Sequence, residues 1–436
     1  MAIANPTIAV LGSGPSGCYT AQFLRKKWPD AEITILEALP VPYGLLRYGV
    51  ATDHQGTKAI EAQFDRLFER DGVQFAGNVH VGHDISFERI ADSFDIVVRA
   101  TGLRHDRKLS VEADACCNVI GAGALLKALN GYPALELPLT ETGDLAPLGR
   151  HVAVIGNGNV AMDVIRLLCK SEPGMIGSDV DDRRLSALRA DGVESIEVFG
   201  RSPAGQAKFD LSMLKEVVAL GGVRIELTGI TESDTGKIVE TLLEASNSRA
   251  SDSQIIVRFH FGATPKAIAN NGSSLQLSMK RAETSDPSEF YVDSIISATG
   301  FTNESPCGSP CTESNWIGKN VFKVGWLNRD GKGAIAENRK DAKQVAELIC
   351  EMFDAGRLSS SKPGFNAIRN ELANPMVDFS GWKKIDNYEK ALAPESRCRK
   401  KVTDIETMLA IANDLHALNE SSFIKKTDEL VFQTQP

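Results

Sequence analysis

Basic residues are in the minority: 48 Lys and Arg stand against 57 Asp and Glu, a formal net charge of −9. Neutralising nucleic-acid phosphates takes a basic surface, so the balance excludes a general nucleic-acid binder. Long apolar runs are missing too. The longest are strand-sized and broken by charges, and Met1 to Pro6 carries neither a basic cluster nor an apolar stretch, so no membrane span or secretory leader is readable. Cysteine is sparse. The eight at Cys18, Cys116, Cys117, Cys169, Cys307, Cys311, Cys350 and Cys398 are too irregular for a disulfide framework or for four-cysteine metal spacing. A reducing, cytoplasmic setting is expected. What remains is 436 residues, 42% hydrophobic with 37 Gly, the composition of an ordinary soluble enzyme with two or three domains.

The strongest internal signal is a strand, a glycine turn and a helix, occurring twice. Thr7-Ile8-Ala9-Val10-Leu11 runs into Gly12-Ser13-Gly14-Pro15-Ser16-Gly17 and then a helical pattern with Ala21 and Leu24 on one face. Val152-Ala153-Val154-Ile155 runs into Gly156-Asn157-Gly158-Asn159-Val160-Ala161 and an amphipathic stretch through Leu168. In such a fingerprint the first Gly permits the turn, the second lets backbone approach a pyrophosphate, and the third, or Ala, packs helix on strand. The helix N-terminus then offers unpaired amides to the phosphates. Two dinucleotide sites are implied.

A second repeat divides the chain. Asp95 to Gly102 and Asp293 to Gly300 each read as a strand ending in Ala-Thr-Gly, at Ala100-Thr101-Gly102 and Ala298-Thr299-Gly300. Small residues there let the backbone pass close beneath a dinucleotide or turn into a neighbouring domain. The expected fold is α/β, with two Rossmann-like dinucleotide-binding domains. A nucleotide domain at 107–304 is inserted into a discontinuous first domain made of 1–106 and 305–436. Residues 171–192 read as a surface helical excursion, 245–253 and 270–288 as polar hairpin loops, and the chain beyond about 355 as a peripheral helical wrap.

The two sites differ where the second strand of each unit meets the adenosine ribose. Ile33-Thr34-Ile35-Leu36 ends in Glu37, twenty positions beyond Gly17. A carboxylate accepts the ribose hydroxyls and repels a 2′-phosphate. Ile196-Glu197-Val198-Phe199 ends instead in Gly200-Arg201-Ser202, and Arg201 can pair with a 2′-phosphate. The first site thus suits FAD or NAD, and the second NADP in preference to NAD. A protein holding both is expected to pass hydride from nicotinamide to flavin, with alignment as its main task.

These segments, together with Pro42-Tyr43-Gly44-Leu45-Leu46-Arg47-Tyr48-Gly49-Val50-Ala51-Thr52-Asp53-His54 and Val324-Gly325-Trp326, resemble the adrenodoxin reductase family of ferredoxin-NADP reductases over about residues 7 to 350. The resemblance implies that Pro15, Glu37, Gly44, Leu45 and Val81 line FAD, with Trp326 and the turn Gly333-Ala334-Ile335 against its ring. It implies that Asn157, Gly158, Asn159, Val160, Arg201 and Ser202 hold NADP, and that His54 and Glu216 are the His and Glu near flavin and nicotinamide. The family's Arg-Arg pair at the 2′-phosphate is here Arg201-Ser202, with Lys208 nearby. An acidic iron-sulfur ferredoxin is the implied acceptor, and Arg25-Lys26-Lys27, Lys383-Lys384 and Arg397 to Lys401 are candidate docking groups. Two other readings stand beside this one. Cys307 and Cys311 could serve a dithiol-disulfide reductase, although their spacing is not Cys-x-x-Cys, and a turnover-free FAD-binding scaffold would leave the second site vestigial.

Overall fold

The computed structural model describes residues 5–113, 119–248, 255–281, 287–303, 316–358, 361–372 and 374–415. They form two compact units, one drawn from Met1–Arg47, Gln55–Leu103 and Pro310–Pro436, the other from Tyr48–His54 and Arg104–Ser309.

The first unit is built on a five-stranded parallel sheet. Its spatial order is Val321–Lys323, Ile96–Arg99, Thr7–Leu11, Glu32–Glu37 and Gln74–Gly77. Both faces are covered, so the strands read as unbroken apolar runs: Ile8, Ala9, Val10, Ile33, Ile35, Ile96, Val97 and Val98 are fully buried. The late strand Val321–Lys323 pairs with Ile96–Arg99, which is why this unit needs chain from both sides of the second one. Its first helix, Pro15–Lys27, places Pro at the start, where a missing N–H costs nothing.

The second unit repeats the plan with six parallel strands, ordered Val223–Thr228, Ile255–Phe261, Ser195–Gly200, His151–Ile155, Ser294–Ser297 and Val119–Gly121. A further sheet, Ser288–Val292, Leu275–Arg281, Ala263–Asn270 and Glu112–Ala113, stands beside it. Two expectations are corrected here. Within 270–288 the alternating Leu275, Leu277 and Met279 are buried, and Leu275–Arg281 is a strand central to its sheet rather than loop. Within 171–192 the chain does form a helix, Asp182–Leu188, but Met175, Val180, Leu185 and Leu188 enter the main core rather than lying on the surface.

In each sheet the strand before the glycine turn has neighbours that depart in opposite directions, and the crevice at its C-terminal end is where such folds bind nucleotides. The backbone closes the two crevices identically. Gly12 N–H donates to Leu36 O (2.8 Å) and Ala100 N–H to Leu11 O (2.8 Å); Gly156 N–H donates to Phe199 O (2.9 Å) and Ala298 N–H to Ile155 O (2.8 Å). Gly12 and Gly156 have φ of +103° and +122°, and a Cβ on either would sit 2.5 or 2.3 Å from the carbonyl oxygen of Ala100 or Ala298. The Ala-Thr-Gly repeat is therefore the floor beneath each glycine turn.

A Cβ on Gly17 would lie 2.1 Å from Gly12 O, whereas one on Gly14 would meet nothing within 4 Å. Gly17→Ala is expected to cost about 1–3 kcal/mol by forcing helix from strand, and Gly14→Ala less than about 1 kcal/mol. Urea unfolding of the two variants checks the order.

Candidate functional site

The first crevice is shaped by residues that fix one another. Ser13, fully buried, donates both its N–H (3.0 Å) and its hydroxyl (2.6 Å) to Glu37 Oε2, and Leu39 N–H donates to Oε1 (3.2 Å). The carboxylate at the tip of Glu32–Glu37 is thus held in one orientation with acceptor capacity left for ribose hydroxyls. Tyr43 N–H donates to Ser13 Oγ (3.1 Å), and Gly44, at φ +49°, lies so close that its Cβ would be 3.3 Å from Gly14 Cα. Leu45 opens the short helix Leu45–Tyr48, and Val81 packs among Ala9, Leu11 and Trp316. Gly102 (φ +69°) turns the chain away after Ala100 and Thr101. Trp326 starts a one-turn helix, and its Nε1–H donates to Gly333 O (2.8 Å), tying it to the turn that leads through Ala334 into the helix Ile335–Asp354.

Open space above Gly14 and an oriented acid at the second strand fit a dinucleotide with free ribose hydroxyls, as FAD has. Cys18, in the helix Pro15–Lys27, donates its thiol to Ser13 O (3.1 Å), and burial pushes its pKa well up, so it is no thiolate nucleophile. Cys116, Cys117, Cys307 and Cys311 lie outside the described residues.

The second crevice differs in its charge. Gly158 again leaves open space, and Asn159 and Asp210 exchange two hydrogen bonds, Nδ2 to Oδ2 (2.7 Å) and N–H of Asp210 to Oδ1 (2.8 Å). Val160 lies in the first turn of the helix Asn159–Cys169, and Ala161 after it is fully buried. Asn157 is buried beside Gly200, where a Cβ would come within 2.2 Å of its Nδ2, and that amide donor has no partner among the described residues. Arg201 is exposed and Ser202 half-buried just beyond, with Lys208 exposed and bridged to Gly158. A buried donor without a partner among the described residues and an exposed guanidinium at the strand end fit a phosphorylated ribose: the ligand would satisfy the amide and meet the charge.

Also in the second unit, His54 joins a cluster of opposed charges. Its Nε2 lies 2.9 Å from Glu216 Oε2 and its Nδ1 3.7 Å from Asp163 Oδ1. Arg166 binds Asp163 (2.5 Å) and Asp53, and its Nε is 3.1 Å from Glu216. Lys170 also reaches Asp53. Burial alone would raise Asp53, but hydrogen bonds from Arg166 and Lys170 outweigh it and hold the carboxyl below its ordinary range. Burial pushes Asp163 up against the pull of Arg166 and His54. Three carboxylates therefore face two fixed cations, with the His54 ring set between Glu216 and Asp163. Sequence reasoning singled out His54 and Glu216 but not Arg166, which is fully buried between them and Asp53.

The fold and its two glycine cradles define a two-dinucleotide α/β oxidoreductase. No family model matches the chain. It is 40% identical to the cindoxin reductase of Citrobacter braakii over 430 residues, 94% of this chain and 92% of that protein. It is 28% identical to the mitochondrial NADPH:adrenodoxin oxidoreductase of Drosophila melanogaster, covering 93% of each. The solved structure of Mycobacterium tuberculosis FprA in complex with NADPH superposes with a TM-score of 0.82 at 26% identity, over 94% of this chain and 99% of that one. The chain belongs to the adrenodoxin reductase-type family of ferredoxin-NADP reductases.

Because its folded pKa is depressed, Asp53 contributes stability that is complete above its ordinary value of 3.8 and fades as pH falls through the folded value. Asp53→Asn leaves Arg166 buried without that partner, and is expected to cost about 3–5 kcal/mol at pH 7. The cost should shrink toward pH 3 in urea unfolding; an equal cost at both pH values would show that the pairing is not ionic.

Proposed function

We propose that the chain is an FAD-dependent ferredoxin-NADP reductase, taking hydride from NADPH and passing single electrons to an iron-sulfur ferredoxin. The observation that carries this reading is the pair of matching cradles with opposite charge at their ribose ends, Glu37 in one and Arg201 in the other. Family membership supports it. Bound FAD supplies the conversion between a two-electron donor and a one-electron acceptor.

The chain's own residues do the rest. In our reading Gly12, Gly14, Pro15 and Gly17 shape the pyrophosphate seat of the flavin nucleotide, and Ala100, Thr101 and Gly102 form its floor. Glu37 holds the ribose, Gly44, Leu45 and Val81 flank the cofactor, and Trp326 with Gly333, Ala334 and Ile335 covers the ring end. Asn157, Gly158, Asn159 and Val160 seat the NADP pyrophosphate, and Arg201 with Ser202 meets the 2′-phosphate. Hydride transfer itself needs no acid or base, so alignment dominates. In our reading His54, hydrogen-bonded to Glu216, offers a hydrogen-bonding group beside the reacting system.

We take the acceptor to be acidic and the setting to be a reducing one, the cytoplasm. Of the basic groups expected to dock the acceptor, Lys26 is exposed. Arg25 caps the carbonyls of Pro29 (2.6 Å) and Ala31 (2.8 Å), Lys27 pairs with Asp354, Lys383 with Asp65 and Lys384 with Asp414. Arg399 is committed to Asp386 and Glu389, so the cluster at Arg397 to Lys401 serves the interior more than a partner.

Anaerobic titration tests the reading: NADPH should bleach the flavin absorbance, and a ferredoxin should restore it. Protein that stays yellow with NADPH supports the scaffold reading instead. One charge-assisted contact is worth roughly 1.5–3 kcal/mol. Arg201→Ala is therefore expected to raise KM for NADPH on the order of 10- to 150-fold with little change for NADH. Equal changes would remove Arg201 from the phosphate site.

A further inference from the structure

The C-terminal part of the first unit looks peripheral in sequence, yet it buries charge against the segment that faces the first glycine cradle. Glu389, in the helix Phe379–Ala391, and Arg47, in the helix Leu45–Tyr48, are 0% and 1% exposed and lie 2.5 Å apart. Glu389 Oε1 also accepts Val402 N–H (2.9 Å), and Oε2 accepts Arg399 (3.0 Å). The backbone carbonyl of Arg47 accepts the ammonium groups of Lys401 (3.2 Å) and Lys58 (3.4 Å). The Arg47 guanidinium lies 5.0 Å over the buried Trp382 ring, and that ring meets Tyr43 edge-on at 6.1 Å. Arg47 is thus gripped at its side chain and at its carbonyl by residues from beyond position 380.

The grip matters because the preceding turn is one the chain does not adopt freely. Tyr43 has φ +81°, a left-handed conformation that costs a bulky residue about 1–3 kcal/mol and persists only where its surroundings over-determine it. Those surroundings are the Tyr43 hydroxyl donating to Asp65, its N–H donating to Ser13 Oγ, and the Trp382 face. The adjoining Gly44 is the residue that touches Gly14.

We propose that the C-terminal strap, through Glu389 and Lys401 acting on Arg47, is a positioning device that holds Tyr43, Gly44 and Leu45 against the phosphate loop and so sets the affinity for FAD. Glu389 and Lys401 touch no cofactor in this account; they act through Arg47. The inference rests on the reading that Gly44 and Leu45 flank the flavin nucleotide.

Apoprotein prepared from the full chain and from Lys401→Met and Glu389→Gln is titrated with FAD, and separately with NADP+. Both variants should bind FAD at least tenfold more weakly while their NADP+ affinity stays within twofold of the parent, because the second cradle is built from other residues. An FAD affinity within twofold of the parent overturns the proposal, and so does a parallel loss of both ligands, which would mean general destabilisation. Should Glu389→Gln not fold, Lys401→Met decides alone. Gly44→Ala separates the two levels: if it too leaves FAD binding intact, the placement of the flavin site is at fault, and if it weakens FAD while Lys401→Met does not, the strap alone is.

Discussion

A main-chain carbonyl occupies the place where a side chain would stand on Gly12, and the same holds at Gly156. That close approach ties together three pieces of each unit: the first strand, the turn after it, and the strand ending in Ala-Thr-Gly. With the floor that near, the turn cannot carry a Cβ at its first glycine, and the following helix is drawn down onto the strand at Gly17 or Ala161. The remaining freedom is upward, over Gly14 and Gly158, where a Cβ would meet nothing. Backbone amides at a helix start facing open space are a ready seat for a pyrophosphate. Steric exclusion below creates the binding site above.

The two seats differ in the residues at the second strand of each sheet. The first carries an acid whose orientation is imposed by Ser13 and Leu39, the second an exposed Arg201 just past the strand end. The chemistry follows from holding both carriers in one chain. The cluster around His54 belongs to the same logic. Arg166 is buried among Asp53, Asp163 and Glu216, so these side chains are fixed by their mutual charge.

Much of this was legible in the sequence because it depends on short spacings. Glycines at fixed offsets, an apolar strand before them and an acid or a cation at a set distance after them are local patterns, and the structure puts each of these residues at the strand end its motif implied. Long-range pairings left no such trace. Arg47 and Glu389 are 342 residues apart and each looks like an ordinary helix charge. Arg166 reads as the polar face of an amphipathic helix until its three partners are in place. Tyr48–His54 continues a motif that begins in the first unit, yet it packs with the second, a change of allegiance that composition does not mark. The strand Leu275–Arg281 was hidden by Ser, Asn and Lys around an alternation of only three apolar residues, and Met175, Leu185 and Leu188 by the Asp and Arg between them.

The central claim is that one chain carries two equivalent seats with different tenants. Ligand binding to Gly14→Ala and Gly158→Ala tests it most directly, with FAD and NADP+ titrated into the apoprotein of each. The account predicts a crossed pattern: Gly14→Ala loses FAD and keeps NADP+, while Gly158→Ala does the reverse. Loss of the same dinucleotide in both variants would contradict it.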